Sequence, residues 1–420
     1  MPVAVFAGVI ALLLLVGAPI FLAMLAGTFI GFEFFAPSVP SMSLPQRMVD
    51  GVNRFSLIAI PLFIFAADII SRGQIGARLV RLTEALVGHL RGGVAMASVV
   101  ACAMFGAMAG IGPAAVVSIG PIVYPALVRQ GYGRGFAAGL ILSASTLAML
   151  IPPGVAMILY SVETNNSVGR MFIAGLTTGA VFAALLMAYA YGYARYHGIG
   201  RLPRAGWAER WAAFKAAAWA LGLPVIVLGG IYGGAATPSE AAAFACVYAI
   251  FVETMIYRQL RLRDIPRVSA ASSATIAILM ILIAGGAVMT YYMTLMQYPA
   301  QISGAVAGVP AEGVLLAINI AFLFAGMIID PNSAIIVLTP LIYSAATAAG
   351  VDPIHLGAVV VMNVAIGMIT PPFGLNLFIG MATFRLSYGE VVRAILPFVG
   401  LMIAALLLVT YIPAIALFLL

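Results

Sequence analysis

Residues 370–377 read Thr370-Pro371-Pro372-Phe373-Gly374-Leu375-Asn376-Leu377, a double proline and a glycine set inside an apolar run. A proline removes a backbone donor and clashes with the preceding turn, so this stretch predicts a helix that is unwound midway. The same pattern stands 219 residues earlier, at Ile151-Pro152-Pro153-Gly154. Upstream of each pair lies another break. Ala109-Gly110-Ile111-Gly112-Pro113 puts Pro113 39 residues before Pro152, and Asp330-Pro331-Asn332-Ser333 puts Pro331 40 residues before Pro371. Pro121-Ile122-Val123-Tyr124 falls on Pro340-Leu341-Ile342-Tyr343 at the same offset, and Gly139 falls one place from Gly357. The chain reads as two homologous halves, 1–200 and 216–420, joined by 201–215.

Composition says where such halves reside. Of 420 residues 64% are hydrophobic, against 20 basic and 13 acidic ones, and apolar stretches of spanning length recur throughout. A spanning helix needs about 20 apolar residues, so this is an all-α polytopic membrane protein rather than a soluble enzyme. The net charge of +7 comes from loop arginines and one lysine. That distribution suits contact with anionic membrane lipid and offers no groove for nucleic acid. Cys102 and Cys246 lie in apolar segments, which argues against a disulfide or a metal-ligand set. The N-terminal apolar run has no basic residues before it, so it reads as a retained span.

Basic clusters at 72–91, 129–134, 195–215, 258–267 and 385–393 fall on one side under the positive-inside rule, with Arg47, Arg54 and Arg170 as exceptions. Residues 92–128 begin and end beside such clusters yet are too short for two spans and a turn. They read as a re-entrant hairpin entered from the cytoplasm. Residues 313–349 have the same length without basic flanks, so this second hairpin enters from the opposite face. The halves therefore have inverted topology, with broken spans at 135–163 and 356–383, an arrangement that places a transport site at the membrane midplane.

Unwound backbone survives in a bilayer only where it faces protein, water or a bound ion. Pro113, Pro153, Pro331 and Pro372 mark the breaks, and helix C-termini there offer carbonyls to a cation while N-termini offer N–H groups to an anion. The polar residues at the breaks are Ser143, Ser145, Thr146, Asn332, Ser333, Thr370, Asn363 and Asn376. A buried amide needs partners on both its donor and acceptor sides, which singles out Asn363 and Asn376 as substrate contacts. Asp330, the one carboxylate inside either hairpin, has two readings: a cation-site organiser, or an N-cap for the helix starting at Pro331. Glu240, behind Thr237-Pro238-Ser239, fits a capping turn.

Taken in order, several segments resemble the large membrane subunit of the tripartite ATP-independent periplasmic (TRAP) transporters, the DctM-like family. They include Ile58-Ala59-Ile60-Pro61-Leu62-Phe63, Val87-Gly88-His89-Leu90-Arg91-Gly92-Gly93, Ile151-Pro152-Pro153, Thr237-Pro238-Ser239-Glu240-Ala241, Gly326-Met327 with Asp330, and Asn363 with Thr370-Pro371-Pro372-Phe373-Gly374. The resemblance implies an elevator-type transporter, a transport domain sliding against a scaffold, that couples sodium to import of an organic anion such as a carboxylate or sulfonate. It implies a small DctQ-like membrane subunit, a DctP-like periplasmic binding protein, a bacterial inner-membrane location, no cofactor and Na+ as coupling ion. Carried over, the second-half sodium site involves Gly326, Gly367, Thr370 and Pro371. The repeat offset then places the first-half site at Gly106, Ala109, Gly110, Ala148, Ile151 and Pro152; substrate contacts fall on Ser143, Ser145, Thr146, Asn332, Ser333, Asn363 and Asn376. The first tip departs from the usual Ser-Gly-Ser, and Gly154 stands where serine is frequent, so hydroxyl ligands are missing there.

Two other classes compete. A stand-alone sodium-dicarboxylate elevator transporter would share the hairpins but need no binding protein. An intramembrane transferase would need clustered acids or a His/Asp constellation, and the acidic residues here are dispersed. Residues 195–215, with Trp207, Trp211 and five basic side chains, read as an interfacial helix on the cytoplasmic headgroups. Residues 74–90 read as a second such arm leading into the first hairpin.

Overall fold

The computed structural model describes residues 2–420; Met1, where the first expected span begins, lies outside them. The described residues are helical throughout, and eight of the helices are long and apolar enough to cross a membrane, nine if a bent pair is counted as one span. That pair is the first interrupted span. Helix Arg134–Ser145 runs through a short turn at Leu147–Leu150, unwinds over 151–154 and resumes as Val155–Glu163, bent by 42°. In the second half Pro353–Gly367 unwinds over 368–374 and resumes as Leu375–Phe384. Both Pro-Pro peptide bonds, 152–153 and 371–372, are cis.

These two interrupted spans form the centre of the molecule. Residues 136–151 and 354–369 are buried without exception. An apolar sequence with no polar face is what an all-round buried helix requires, and the longer outer helices are half-exposed, as a lipid-facing layer must be. Each interrupted span packs against a helical hairpin of its own half. The first hairpin joins Gly93–Ala109 to Gly112–Arg129 through Gly110-Ile111, and the second joins Ala311–Ile328 to Pro331–Ala348 through Ile329-Asp330. Connections of two residues force antiparallel neighbours.

The arm before the first hairpin is the helix Ile75–Val87, whose buried residues Ile75, Leu79, Val80 and Leu82 follow helical spacing. Its N-terminus is held from afar: the carboxylate of Glu253 accepts from Gln74 N at 3.1 Å and Ile75 N at 3.2 Å. The stretch 195–215 differs from expectation. Helix Val168–Tyr196 ends there, residues 199–206 are not helical, and Trp207 opens a long helix, Trp207–Tyr232. Gly198 adopts a left-handed φ of +65°, and Pro203 and Gly206 follow, so one continuous interfacial helix cannot form across them. Glu240 closes a capping box with Thr237 at the start of Pro238–Phe251.

Candidate functional site

A cavity of about 580 Å³ lies where the two halves meet. Gly110, Ile111 and Pro113 of the first hairpin tip line it, as do Asp330, Pro331 and Asn332 of the second. Met149 and Val155 come from the first interrupted span, Met368 and Leu375 from the second. Four helices therefore begin at this cavity: Gly112–Arg129, Val155–Glu163, Pro331–Ala348 and Leu375–Phe384. Only one of these starts is capped by a side chain. Asp330 accepts from Asn332 N and Ser333 N, both at 3.1 Å, and from the Ser333 hydroxyl, whereas the helices starting at Gly112, Val155 and Leu375 have no side-chain cap. Helix starts without a side-chain cap carry partial positive charge even where backbone engages some of their N–H groups, as Gly110 O does Val155 N and Met368 O does Asn376 N, and that charge is a seat for an anion without a basic side chain.

The contact between each hairpin and its broken span is glycine-dependent. Gly326 and Gly367 face each other so closely that a Cβ built on Gly367 would fall 2.6 Å from the Gly326 Cα. In the first half Gly106 packs in the same way on Ala148, 2.5 Å from Cβ to Cα. Gly110 has φ +63° and rests on the Pro153 carbonyl, so a side chain is barred there twice over. Matching backbone bonds tie tips to breaks: Val155 N donates to Gly110 O at 3.4 Å, and Phe373 N donates to Met327 O at 3.2 Å. Thr370 is half-buried and returns its hydroxyl to Ile366 O at 2.7 Å, leaving that oxygen's lone pairs free.

Among the residues expected to contact substrate, Asn332 lines the cavity and the others do not. Ser333 is spent on Asp330. Ser145 and Thr146 bond back to Leu142 O and Ser143 O, at 2.6 and 2.7 Å, and the buried Ser143 hydroxyl has no partner. Asn376 Nδ2 donates to Ser145 Oγ at 3.0 Å and so ties the second break to the first; its buried Oδ1 is unpartnered. Asn363 is turned into the helix packing. It donates to Asn319 Oδ1 at 2.7 Å and to Val359 O at 2.8 Å, and Asn319 continues to Thr410 at 3.0 Å. Ala109, Ile151, Pro152 and Pro371 flank the cavity lining without forming it.

Sequence reasoning missed a third wall. Helices Ala59–Arg72 and Ile265–Leu295 supply Asp68, Ser71, Thr275 and Leu279 to the cavity, and Asp68 accepts from Ser272 at 2.5 Å. The available signal was an aspartate inside the apolar run 57–70. No cluster of metal-binding side chains occurs among the described residues, and both cysteines are free.

The fold and this arrangement of breaks are those of a membrane carrier. The family model described as tripartite ATP-independent periplasmic transporter, DctM component, matches residues 7–415, and the chain belongs to that family. It is 41% identical to the ectoine/5-hydroxyectoine TRAP transporter large permease protein UehC of Ruegeria pomeroyi, over 97% of this chain and 96% of that one. It is 39% identical to the C4-dicarboxylate TRAP transporter large permease protein DctM of Pseudomonas aeruginosa, over 94% and 92%. The solved YdaH transporter of Alcanivorax borkumensis shares the fold, with a TM-score of 0.62 at 13% identity, over 88% of this chain and 87% of that one. The chain is thus a multi-pass transporter permease subunit and not an enzyme.

Proposed function

We propose that the chain is the large permease of a sodium-coupled importer in a bacterial inner membrane. It takes up an organic anion, a carboxylate or sulfonate, delivered by a periplasmic binding protein, and works beside a small membrane subunit. The single observation that carries this reading is the meeting of both hairpin tips and both interrupted spans at one cavity. Relatives named for ectoine, C4-dicarboxylates and isethionate support a solute with an acidic group. Three helix starts without a side-chain cap turn their positive ends toward that group.

In this reading the hairpins are re-entrant, the halves are inverted, and the unit of hairpins and interrupted spans slides against a scaffold that includes Ala59–Arg72 and Ile265–Leu295. Sodium sits between each tip and its own break. Close glycine approach brings backbone carbonyls of the two helices together there, and Thr370 adds a hydroxyl in the second half. In the first half the tip has no hydroxyl, so carbonyls alone serve.

Reconstitution tests the proposal. The chain and its small subunit in liposomes are expected to accumulate substrate only with an inward sodium gradient and the binding protein present. Sodium-driven uptake without the binding protein would instead make it a stand-alone carrier, and uptake indifferent to sodium would remove the coupling ion.

A further inference from the structure

A second cavity, of about 350 Å³, opens at the start of the first interrupted span, between the helices Arg134–Ser145, Val168–Tyr196 and Tyr388–Tyr411. Its inner wall is aromatic. Phe136 stacks on Tyr193 with ring centroids 3.8 Å apart, and Tyr189 meets Phe398 edge-on at 5.1 Å. Its rim is charged, with the exposed side chains of Arg134 and Arg393 beside Glu390. Glu390 is already engaged, since its Oε2 accepts from Ser387 N at 2.7 Å and from Ser387 Oγ at 2.6 Å. The two guanidiniums therefore outweigh the acid. The helix opening at Arg134 adds first-turn N–H groups, because Gly133 provides no side-chain cap.

An aromatic slot of this size buried beside a pair of arginines joins two requirements in one place: apolar walls for a chain, and a forked set of donors for a phosphate. This end of the molecule also carries Arg129, Arg195 and Arg385, so the positive-inside rule places it at the cytoplasmic leaflet, where anionic lipids collect. We propose that this cavity is a binding site for one anionic phospholipid, its phosphate held by Arg134, Arg393 and the start of helix Arg134–Ser145, and an acyl chain laid against Phe136 and Phe398. The ligand pins the first interrupted span to Tyr388–Tyr411, a helix of the other half.

The test uses the purified full chain in phosphatidylcholine nanodiscs doped with phosphatidylglycerol, with retained lipid read by native mass spectrometry. The wild type is expected to keep a single phosphatidylglycerol in preference to phosphatidylcholine. The double variant Arg134→Gln/Arg393→Gln lowers that retention by on the order of tenfold, and Arg134→Lys/Arg393→Lys keeps part of it. Three results overturn the proposal: equal retention of the two lipids by the wild type, unchanged phosphatidylglycerol in the Gln variant, or displacement of the lipid by inorganic phosphate alone, which would assign the arginines to a free anion. The first and third arms need only the wild-type protein, so they stand even where a variant folds poorly.

Discussion

Gly367 shows how little room the breaks leave. A methyl group there meets the Gly326 backbone at 2.6 Å, and backbone cannot rotate away as a side chain can. Overpacking of this kind costs about 1–3 kcal/mol. Gly367→Ala is therefore expected to lower the melting temperature of the purified protein and to depress sodium-driven uptake; an unaltered melt with unaltered uptake would refute the contact. Asn363 belongs to the same scale but to another purpose. Replacing it by leucine leaves the buried Asn319 Oδ1 without its donor, at a cost of about 1–3 kcal/mol, while Val359 O keeps the backbone N–H of residue 363 in the helix. The loss should appear in thermal unfolding, and a double-mutant cycle with Asn319→Ala should be strongly non-additive. Additive losses would place Asn363 outside that chain of amides. The sequence made Asn363 conspicuous because an amide in an apolar run must find partners. It could not say which partner, since Asn319 lies 44 residues away on a hairpin arm.

At the scale of the element, Asp330 performs one of the two tasks that its sequence context allows, the cap, and its carboxylate stands where the other could be tested. It caps Pro331–Ala348 through two backbone N–H groups, and it lines the cavity. Two substitutions separate the tasks. Asp330→Ala removes the cap, worth about 1 kcal/mol, and should speed hydrogen exchange in the first turn after Pro331. Asp330→Asn keeps a capping oxygen but not the charge. If the carboxylate helps hold a cation, the Asn variant melts near the wild type yet needs more sodium for half-maximal uptake; an identical sodium titration would leave only the cap. The double prolines, the hairpin tips and the arm helix were legible at this scale because proline and glycine act locally on the backbone. The interruption of 195–215 by Gly198 was less visible, since tryptophan and arginine spacing alone favours a helix lying on the membrane. The third wall of the cavity was hidden for another reason. Asp68 and Ser272 are brought together from 204 residues apart, and no local pattern reports such a pairing.

For the whole molecule, the wall formed by Asp68 and Thr275 and the wall formed by the two tips belong to different groups of helices. In the sliding mechanism proposed above, one moves past the other. A single cysteine at Val117, which is exposed and lines the cavity, in a background with Cys102 and Cys246 replaced by alanine, reports that motion. A membrane-impermeant thiol reagent applied from one side is expected to label it at a rate that changes severalfold when sodium is added. Constant labelling from the same side in all conditions would rule out alternation at this cavity.

Under the sodium coupling proposed above, the hydrogen bond from Asn376 to Ser145 joins the two proposed ion sites. The donor stands just past one double proline and the acceptor just before the other, so neither break can shift without disturbing its counterpart. Energetic linkage between sites is reciprocal, and a shared strut is a physical means of providing it. Occupancy of one pocket should therefore ease filling of its twin, giving a sigmoidal dependence of uptake on sodium that flattens toward a simple hyperbola in Asn376→Leu.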